Sequence, residues 1–170
     1  MLHLRPANPS DVPVILELIR ELAIYEREPD AVIATEADLL RDGFGERPAF
    51  QVLLAEWREA DDTPAGVVGL AFYFFAYSTW VGRESLHLED LFVLPSHRGR
   101  GIGLALMRAL ARTAVERGCR RFQWQVLDWN TPAIRFYESL GARVLGEWQS
   151  VRIEGEALEA LAKSGPAVAR

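Results

Sequence analysis

Apolar residues recur along the chain at two different spacings, and these spacings predict which segments are helices and which are strands. Between positions 12 and 23 they recur every three or four residues, which is typical of one helix face. The same spacing returns from Leu104 to Ala114. Residues 50–57 and 67–77 are continuous or alternating apolar runs joined by turn residues, which predicts a pair of antiparallel strands.

Capping residues and further alternation predict the remaining elements. Ser10, Thr35 and Thr131 are suited to begin helices as N-caps. Further strands are predicted over residues 2–5, 86–94, 121–127 and 143–153, and a small last helix over residues 154–163. This order predicts a single α+β domain over residues 1–170, with a mixed central β-sheet flanked by helices. Residues 164–170 are expected to be a loose tail.

The composition is that of a globular protein with a substantial core, since 49% of the 170 residues are hydrophobic. No apolar run approaches the roughly 20 residues of a membrane helix, and the N-terminus has no signal-peptide core. We therefore expect a cytoplasmic protein that does not bind membranes. Cys119 is the only cysteine, which excludes an intrachain disulfide, and the three histidines are scattered, so no metal site is expected.

Charge is distributed unevenly along the chain. The net charge of −5 argues against general nucleic-acid binding. Residues 17–46 contain nine carboxylates and three arginines, whereas residues 98–121 contain seven arginines and one carboxylate. Two solvated helix faces would explain this division, and so would an anionic cofactor beside the arginines with a cationic substrate beside the acids.

A glycine-rich turn lies between the strand predicted over residues 86–94 and the helix that follows it. Glycines at 99, 101 and 103 let the backbone adopt left-handed dihedral angles, so that several N–H groups can converge at a helix N-terminus and bind an anion. A dinucleotide fingerprint is excluded because Leu104 stands where a third glycine or alanine is required, and a P-loop is excluded because the Gly-Lys pair is absent. A purely structural turn would have a similar sequence.

The motif Arg98-x-x-Gly101-x-Gly103 after an acidic strand resembles the pyrophosphate-binding signature of the GNAT acetyltransferases, which bind acetyl-coenzyme A. Other segments resemble the diamine (spermidine/spermine) N-acetyltransferase branch, including its thialysine N-epsilon-acetyltransferase members. These segments are residues 21–26, 42–45, 77–83, 88–90, 98–103, 127–130 and 136–137. The resemblance implies the GNAT acyl-CoA N-acyltransferase fold across essentially the whole chain. It also implies transfer of acetyl from acetyl-coenzyme A to a primary amine by direct attack, with no metal.

Acetyl transfer to an amine has three chemical requirements: the ammonium must lose a proton, the thioester carbonyl must be polarised, and the departing thiolate benefits from a proton. The resemblance implies that Glu89 is the base, directly or through water, with Asp90 as the competing carboxylate. It implies that Tyr137 is the acid. A carboxylate that merely pairs with an arginine, and a core aromatic ring, are the ordinary alternatives for Glu89 and Tyr137.

The resemblance also implies which residues bind the two substrates. Backbone N–H groups of a strand parted from its neighbour would meet the thioester, namely those of Leu91, Phe92 and Val93. The pyrophosphate would be held by Arg98, Gly99, Arg100, Gly101, Ile102, Gly103 and Leu104. Asn130 and Ala133 would flank the pantetheine or thioester end. The residues expected to line the amine site are Tyr25, Glu26, Trp80, Glu89 and Gln125.

One departure from the branch bears on the amine. Polyamine-specific members carry an Asp where this chain has Ser78, whereas residues 78–80 and 127–130 resemble the thialysine-acetylating members. A thialysine-like amine or a short diamine is therefore favoured over spermine. Two other classes stay open: a peptide or protein N-acetyltransferase, and a non-catalytic acyl-coenzyme A sensor. The resemblance further implies a homodimer.

Overall fold

The computed structural model describes residues 1–60 and 64–165. The tip of the predicted hairpin loop, residues 61–63, and most of the predicted tail, residues 166–170, therefore lie outside the described residues. The chain forms two compact units, Met1–Gln125 and Val126–Arg170. That residues 1–170 form one functional domain remains a prediction.

The first unit consists of a sheet and three helices. Its strands are β1 (Leu2–Pro6), β2 (Gln51–Trp57), β3 (Gly66–Ser78), β4 (Arg83–Val93) and β5 (Phe122–Trp124), and its helices are α1 (Val12–Tyr25), α2 (Glu36–Phe44) and α3 (Ile102–Glu116). Within the described residues the sheet has the strand order β1-β2-β3-β4-β5. Strands β1 to β4 pair antiparallel, and β5 pairs parallel with β4. The predicted α+β fold with a mixed sheet is confirmed.

One capping box precedes α1 and another begins α2; the first belongs to the 3-10 turn that leads into α1, whose own N-cap, Asp11, makes no side-chain capping bond to the helix. Asn8, not the predicted Ser10, is the cap before α1, because its side chain accepts from the Ser10 N–H while Asp11 accepts from the Asn8 N–H at 2.8 Å. A short 3-10 turn, Pro9–Asp11, then leads into the helix. Thr35 caps α2 as predicted. A cap costs about 1 kcal/mol when it is lost, so both boxes help to fix where the helices begin.

The core lies on both faces of the sheet. Helices α1 and α2 pack on one face through a cluster of buried apolar side chains, comprising Val12, Ile15, Leu16, Leu18, Leu39, Val52, Leu54, Leu70 and Phe92. The helix α3 packs against β3 and β4 and buries Ile102, Leu106, Met107, Leu110 and Ala114. Tyr73, Leu86 and Leu88 are buried strand residues of the face that α3 covers.

Strand β4 contains a β-bulge at Glu89. Leu88 pairs with Tyr73 and Asp90 pairs with Phe72, so one step along β3 corresponds to two steps along β4 and Glu89 is the extra residue. Side chains alternate along a strand, and an extra residue reverses which face they point to. Leu88 therefore points to the α3 face, whereas Asp90 points to the α1 face.

The second unit contains α4 (Thr131–Ser139) and α5 (Gly155–Lys163). Asn130, not the predicted Thr131, is the N-cap of α4, because its side chain reaches the Ala133 N–H at 3.4 Å. The strand predicted over residues 143–153 is wrong: residues 142–154 carry no helix or strand. A strand needs a partner, and residues 126–165 contain no other strand with which this segment could pair.

Candidate functional site

The bulge on β4 brings three ionisable side chains to the α1 face of the sheet. His87 pairs with Phe74 of β3, and the two rings stack with centroids 4.7 Å apart. The Nε2 atom of His87 lies 3.6 Å from a carboxylate oxygen of Glu89, which places Glu89 on the same face. Asp90 points to that face as well, so two adjacent carboxylates of one strand are neighbours in space.

A third carboxylate, Glu26, adds to this acidic face from the end of α1. Burial, together with the smaller effect of the charges of Glu89 and Glu26, raises the pKa of Asp90 to about 7. Burial also raises the pKa of Glu26. Carboxylates that repel one another are stabilised by a bound cation, so this face is chemically suited to an alkylammonium. We call Glu26, Glu89 and Asp90 the carboxylate face.

The ring of Tyr25, the last residue of α1, is in contact with the guanidinium group of Arg98. The guanidinium carbon of Arg98 lies 4.4 Å from the centroid of the Tyr25 ring and 5.5 Å from that of Phe92. Its Nε donates to the carbonyl of Val93 at 2.9 Å. Arg98 therefore fastens the turn after β4 to the end of α1, and one face of the Tyr25 ring is used for that contact.

A left-handed backbone is predicted for all three glycines of the turn, and two of them adopt it. Gly99 has a φ of 75° and Gly101, the N-cap of α3, has a φ of 77°. Gly103 lies in the first turn of α3 and has no positive φ, so the prediction was wrong for that position. Its place in the helix explains the difference, because an α-helix requires a φ near −63°.

The N-terminus of α3 has unused hydrogen-bond donors. No side chain caps it, and the first helical bond runs from the Ala105 N–H to the Gly101 carbonyl at 3.0 Å. The N–H groups of Ile102, Gly103 and Leu104 precede that bond, so they have no partner within the helix. A side-chain Cβ at Gly101 would meet no atom within 4 Å, so the space beside this N-cap residue is open. A phosphate fits this arrangement.

Arg100 is tied to the β2 side of the sheet. Its guanidinium lies 3.0 Å from Glu59 and 5.1 Å from the centroid of the Trp57 ring. The Arg98 side chain is likewise engaged by protein groups. The backbone of the turn, more than these two arginine side chains, is therefore left available to a pyrophosphate.

Strand β4 is parted from β5 along the residues that were expected to meet a thioester. The two strands pair only from Leu86 to Leu88, and in the described residues of the first unit no strand continues beside the β5 edge of β4. The Leu94 N–H donates to Val68 of β3 at 2.9 Å. Successive N–H groups of a strand point to opposite edges, so those of Leu91 and Val93 point away from β3. By the same alternation the N–H of Phe92 points toward β3, and its side chain belongs to the core.

Two residues predicted to line the amine site occupy different places. Gln125 follows Trp124, the β5 residue that pairs with Leu88, so it lies at the level of the bulge. Trp80 is 79% exposed in the turn between β3 and β4. From Arg83, at the start of β4, to Glu89 is roughly 20 Å of extended strand at about 3.3 Å per residue. The first unit thus does not bring Trp80 to the carboxylate face.

Three predicted site residues belong to the second unit. Asn130 is buried, and its side chain caps α4 by accepting from Ala133, so both residues take part in one local contact. Tyr137 is half-buried on α4, with its ring centroid 5.3 Å from that of Phe136. Their roles toward the thioester stay predictions.

Sequence reasoning missed His87 and the bulge. Alternation of apolar residues across residues 86–94 predicts the strand correctly, but a bulge appears only when the strand is aligned with its partner.

In residues 1–60 and 64–165 no three His, Cys, Asp or Glu side chains are grouped as metal ligands. No helix of the same part of the chain is long and apolar enough to cross a membrane.

Comparison with known proteins gives one family and several similar chains. The acetyltransferase (GNAT) family model matches residues 14–142. A thialysine N-epsilon-acetyltransferase of Sus scrofa is 46% identical over 164 residues, which cover 94% of this chain and 96% of that protein. An L-ornithine N5-acetyltransferase of Arabidopsis thaliana is 32% identical, covering 95% of this chain and 88% of its own. A solved integron cassette protein from the mobile metagenome of V. cholerae superposes with a TM-score of 0.77 at 32% identity, covering 96% and 98% of the two chains.

Proposed function

The chain belongs to the acetyltransferase (GNAT) family, and we propose that it transfers the acetyl group of acetyl-coenzyme A to a primary amine of thialysine or a short diamine. It has the GNAT fold and is an N-acetyltransferase acting on a small molecule. The observation that carries the choice of amine is 46% identity to a thialysine N-epsilon-acetyltransferase over 94% of the chain. The carboxylate face, which suits an ammonium, supports it independently.

The donor would bind along β4 and the turn that follows. Backbone N–H groups of Ile102, Gly103 and Leu104 at the start of α3 are suited to the pyrophosphate. The N–H groups of Leu91 and Val93 are suited to the pantetheine arm and to the thioester carbonyl, whose oxygen gains negative charge during attack. Gly99 and Gly101 permit the close approach of backbone to phosphate.

The acceptor would bind at the carboxylate face, with Glu26 and Glu89 attracting its ammonium and Gln125 beside the bulge. An ammonium with a pKa near 10 must lose a proton before it can attack. A carboxylate of the bulge, Glu89 or Asp90, would take that proton. Tyr137 of the second unit would give a proton to the departing thiolate, with Asn130 and Ala133 beside the thioester; this part of the proposal rests on the family resemblance.

We propose further that two chains associate. The support comes from the second unit, where the apolar side chains of residues 144–153 are largely exposed, including Trp148 at 66% and Val151 at 95%. Exposed apolar surface of this kind is typical of sites covered by another protein. Sedimentation equilibrium should give a dimer, and the double variant Trp148→Asp, Val151→Asp should be monomeric. Ile33→Asp, at a 90% exposed position of the first unit, is the matched control and should leave the dimer intact.

Release of free thiol from acetyl-coenzyme A, measured across a panel of amines, tests the function. Thialysine or putrescine should give the highest kcat/KM, above spermidine and spermine. A clear preference for spermine would overturn the choice of amine. Faster turnover of lysine-containing peptides would favour the peptide N-acetyltransferase, and binding without thiol release from any amine would favour the sensor.

A further inference from the structure

The bulge gives the two adjacent carboxylates of β4 different surroundings. The side chain of Glu89, the extra residue, is 55% exposed and lies 3.6 Å from Nε2 of His87. Asp90 is half-buried and stands opposite Phe72 of β3. No hydrogen bond or ion pair of its carboxylate occurs within residues 1–60 and 64–165. One carboxylate is therefore solvated and partnered, and the other is desolvated and unpartnered.

We propose that Asp90, rather than Glu89, accepts the proton of the acceptor ammonium, and that Glu89 holds and orients that ammonium. This inference rests on the proposed function, because it requires an amine acceptor. It deepens that function by assigning different tasks to the two carboxylates of the bulge.

The groups around Asp90 favour its protonation by the substrate. Glu89 follows His87 on β4, and Glu26 comes from the end of α1, whereas β3 offers only the apolar Phe72 and Phe74. The cationic Arg98 lies over the Tyr25 and Phe92 rings and donates to the Val93 carbonyl. When Asp90 takes a proton it loses its charge, which relieves its repulsion with Glu89 and Glu26 and removes a desolvated anion.

The pKa of Asp90 makes the proton transfer less unfavourable. The carboxyl group has a pKa of about 7 here, against the ordinary aspartate value of 3.8. Transfer of a proton from an ammonium with a pKa near 10 is therefore about a thousandfold more favourable than transfer to an ordinary Asp. A carboxyl group with a pKa near 7 can still release the proton to water before the next turnover.

The step balances as follows. Asp90 takes one proton from the ammonium, and the freed lone pair forms the C–N bond to the acyl carbon as the C–S bond breaks. The nitrogen loses a second proton after attack, and the departing thiolate gains one. The net reaction converts an ammonium and an acetyl thioester into an amide, a free thiol and one proton, which Asp90 returns to solvent.

The test is the pH dependence of kcat/KM, measured with the best amine of the panel for wild type, Asp90→Asn and Glu89→Gln. Wild type should show a rise centred near pH 7, where Asp90 loses its proton. Asp90→Asn should lose that inflection and about 100-fold or more in kcat. Glu89→Gln should keep an inflection, shifted to lower pH because the charge of Glu89 no longer raises the pKa of Asp90, raise KM at least about fivefold and leave kcat within about threefold.

Chemical rescue provides a second readout. Asp90→Ala should regain activity when formate, a small carboxylate, is added, and Glu89→Ala should not. Asp42→Asn, the same change at an exposed site on α2, is the control and should behave like wild type. The melting temperature of Asp90→Asn should equal or exceed that of wild type, because a desolvated charge is removed.

Failure of this inference is distinguishable from failure of the proposed function. If wild type releases thiol but Asp90→Asn keeps both its inflection and its kcat, or if Glu89→Gln alone loses the inflection, Asp90 is not the base. If wild type releases no thiol with any amine, the proposed function fails and the assignment of Asp90 fails with it.

Discussion

The two units of the chain use their apolar residues in opposite ways. In the first unit α3 alone buries five apolar side chains against the sheet. In the second unit α4 and α5 bury no side chain, and the apolar residues 144, 145, 148, 151 and 153 are between 48% and 95% exposed. The carboxylate face and the glycine turn are thus held by a core, whereas Tyr137 and Asn130 belong to a unit whose described residues have none.

This difference allows the contribution of a residue to stability to be distinguished from its contribution to activity. In the first unit a truncated side chain removes contacts on which the site depends, so stability and activity fall together. In the second unit truncation should cost little stability unless another surface covers it in solution. Paired substitutions, one in each unit, test this directly.

The largest effect is expected from a core substitution on α3. Leu106→Ala, at a position with no exposed surface, should lower the free energy of unfolding by about 3 kcal/mol, because it removes apolar contacts and leaves a cavity. Leu161→Ala on α5, at a 60% exposed position, should cost less than about 0.5 kcal/mol. Urea unfolding followed by circular dichroism measures both. A comparable loss at Leu161 would mean that α5 is packed in solution.

The next effect concerns the donor site in the first unit. Gly101→Val should weaken acetyl-coenzyme A binding about 100-fold or more, because the branched residue strains the φ of 77° by roughly 1–2 kcal/mol and fills the space beside the N-cap of α3. Gly66→Val, at a glycine with open space and no positive φ, should bind normally. Calorimetry measures affinity. Unchanged binding by Gly101→Val would remove the phosphate role from the turn.

A residue of the second unit should affect turnover without affecting stability. Tyr137→Phe should lower kcat about 100-fold, as expected for a lost proton donor, while the affinity for acetyl-coenzyme A and the melting temperature change little. Tyr77→Phe, at a 68% exposed position on β3, is the control and should be fully active. Wild-type turnover by Tyr137→Phe would leave the thiolate to be protonated by another group or by water.

Elements with a strong local pattern could be predicted from the sequence, and the contacts between them could not. Three features depend only on residues close together in the sequence: the apolar stripe of α1, the Thr35 cap and the glycine turn before α3. The structure contains all three. The bulge at Glu89 and the contact of Arg98 with Tyr25 depend on how distant segments align. The site was therefore predicted as a set of residues, but the different surroundings of Glu89 and Asp90 were not.

The wrong predictions also concern features that depend on contacts with other parts of the chain. Residues 143–153 alternate like a strand, but alternation records only which side chains are apolar and does not supply a partner strand. Asn8 and Asn130 displaced the predicted caps Ser10 and Thr131, since the residue that caps is the one whose side chain reaches a free N–H. Serine, threonine and asparagine are nearly equal in that role, so composition could not choose among them.

The smallest effect tests a polar contribution to the stability of the first unit. Arg5 of β1 donates two hydrogen bonds to the Asp11 carboxylate, at 2.7 and 2.8 Å, and a third to Glu56 at 2.8 Å. Hydrogen bonds from Arg5 hold the pKa of both carboxyl groups below its usual range. A lowered folded-state pKa gives stability that is present above the unfolded pKa, near 4, and is lost as the pH falls through the folded value.

Asp11→Asn should therefore lower the free energy of unfolding by about 1–2 kcal/mol at pH 7, since charge-assisted hydrogen bonds are replaced by neutral ones while Arg5 keeps Glu56. The difference in the free energy of unfolding between variant and wild type should narrow as the pH is lowered from 5 toward 2, because wild-type Asp11 becomes protonated over that range. Asp42→Asn, on the exposed face of α2, should follow wild type. Urea unfolding at a series of pH values measures this, and a gap that stays constant down to pH 2 would assign the loss to packing around Asp11 instead of its charge.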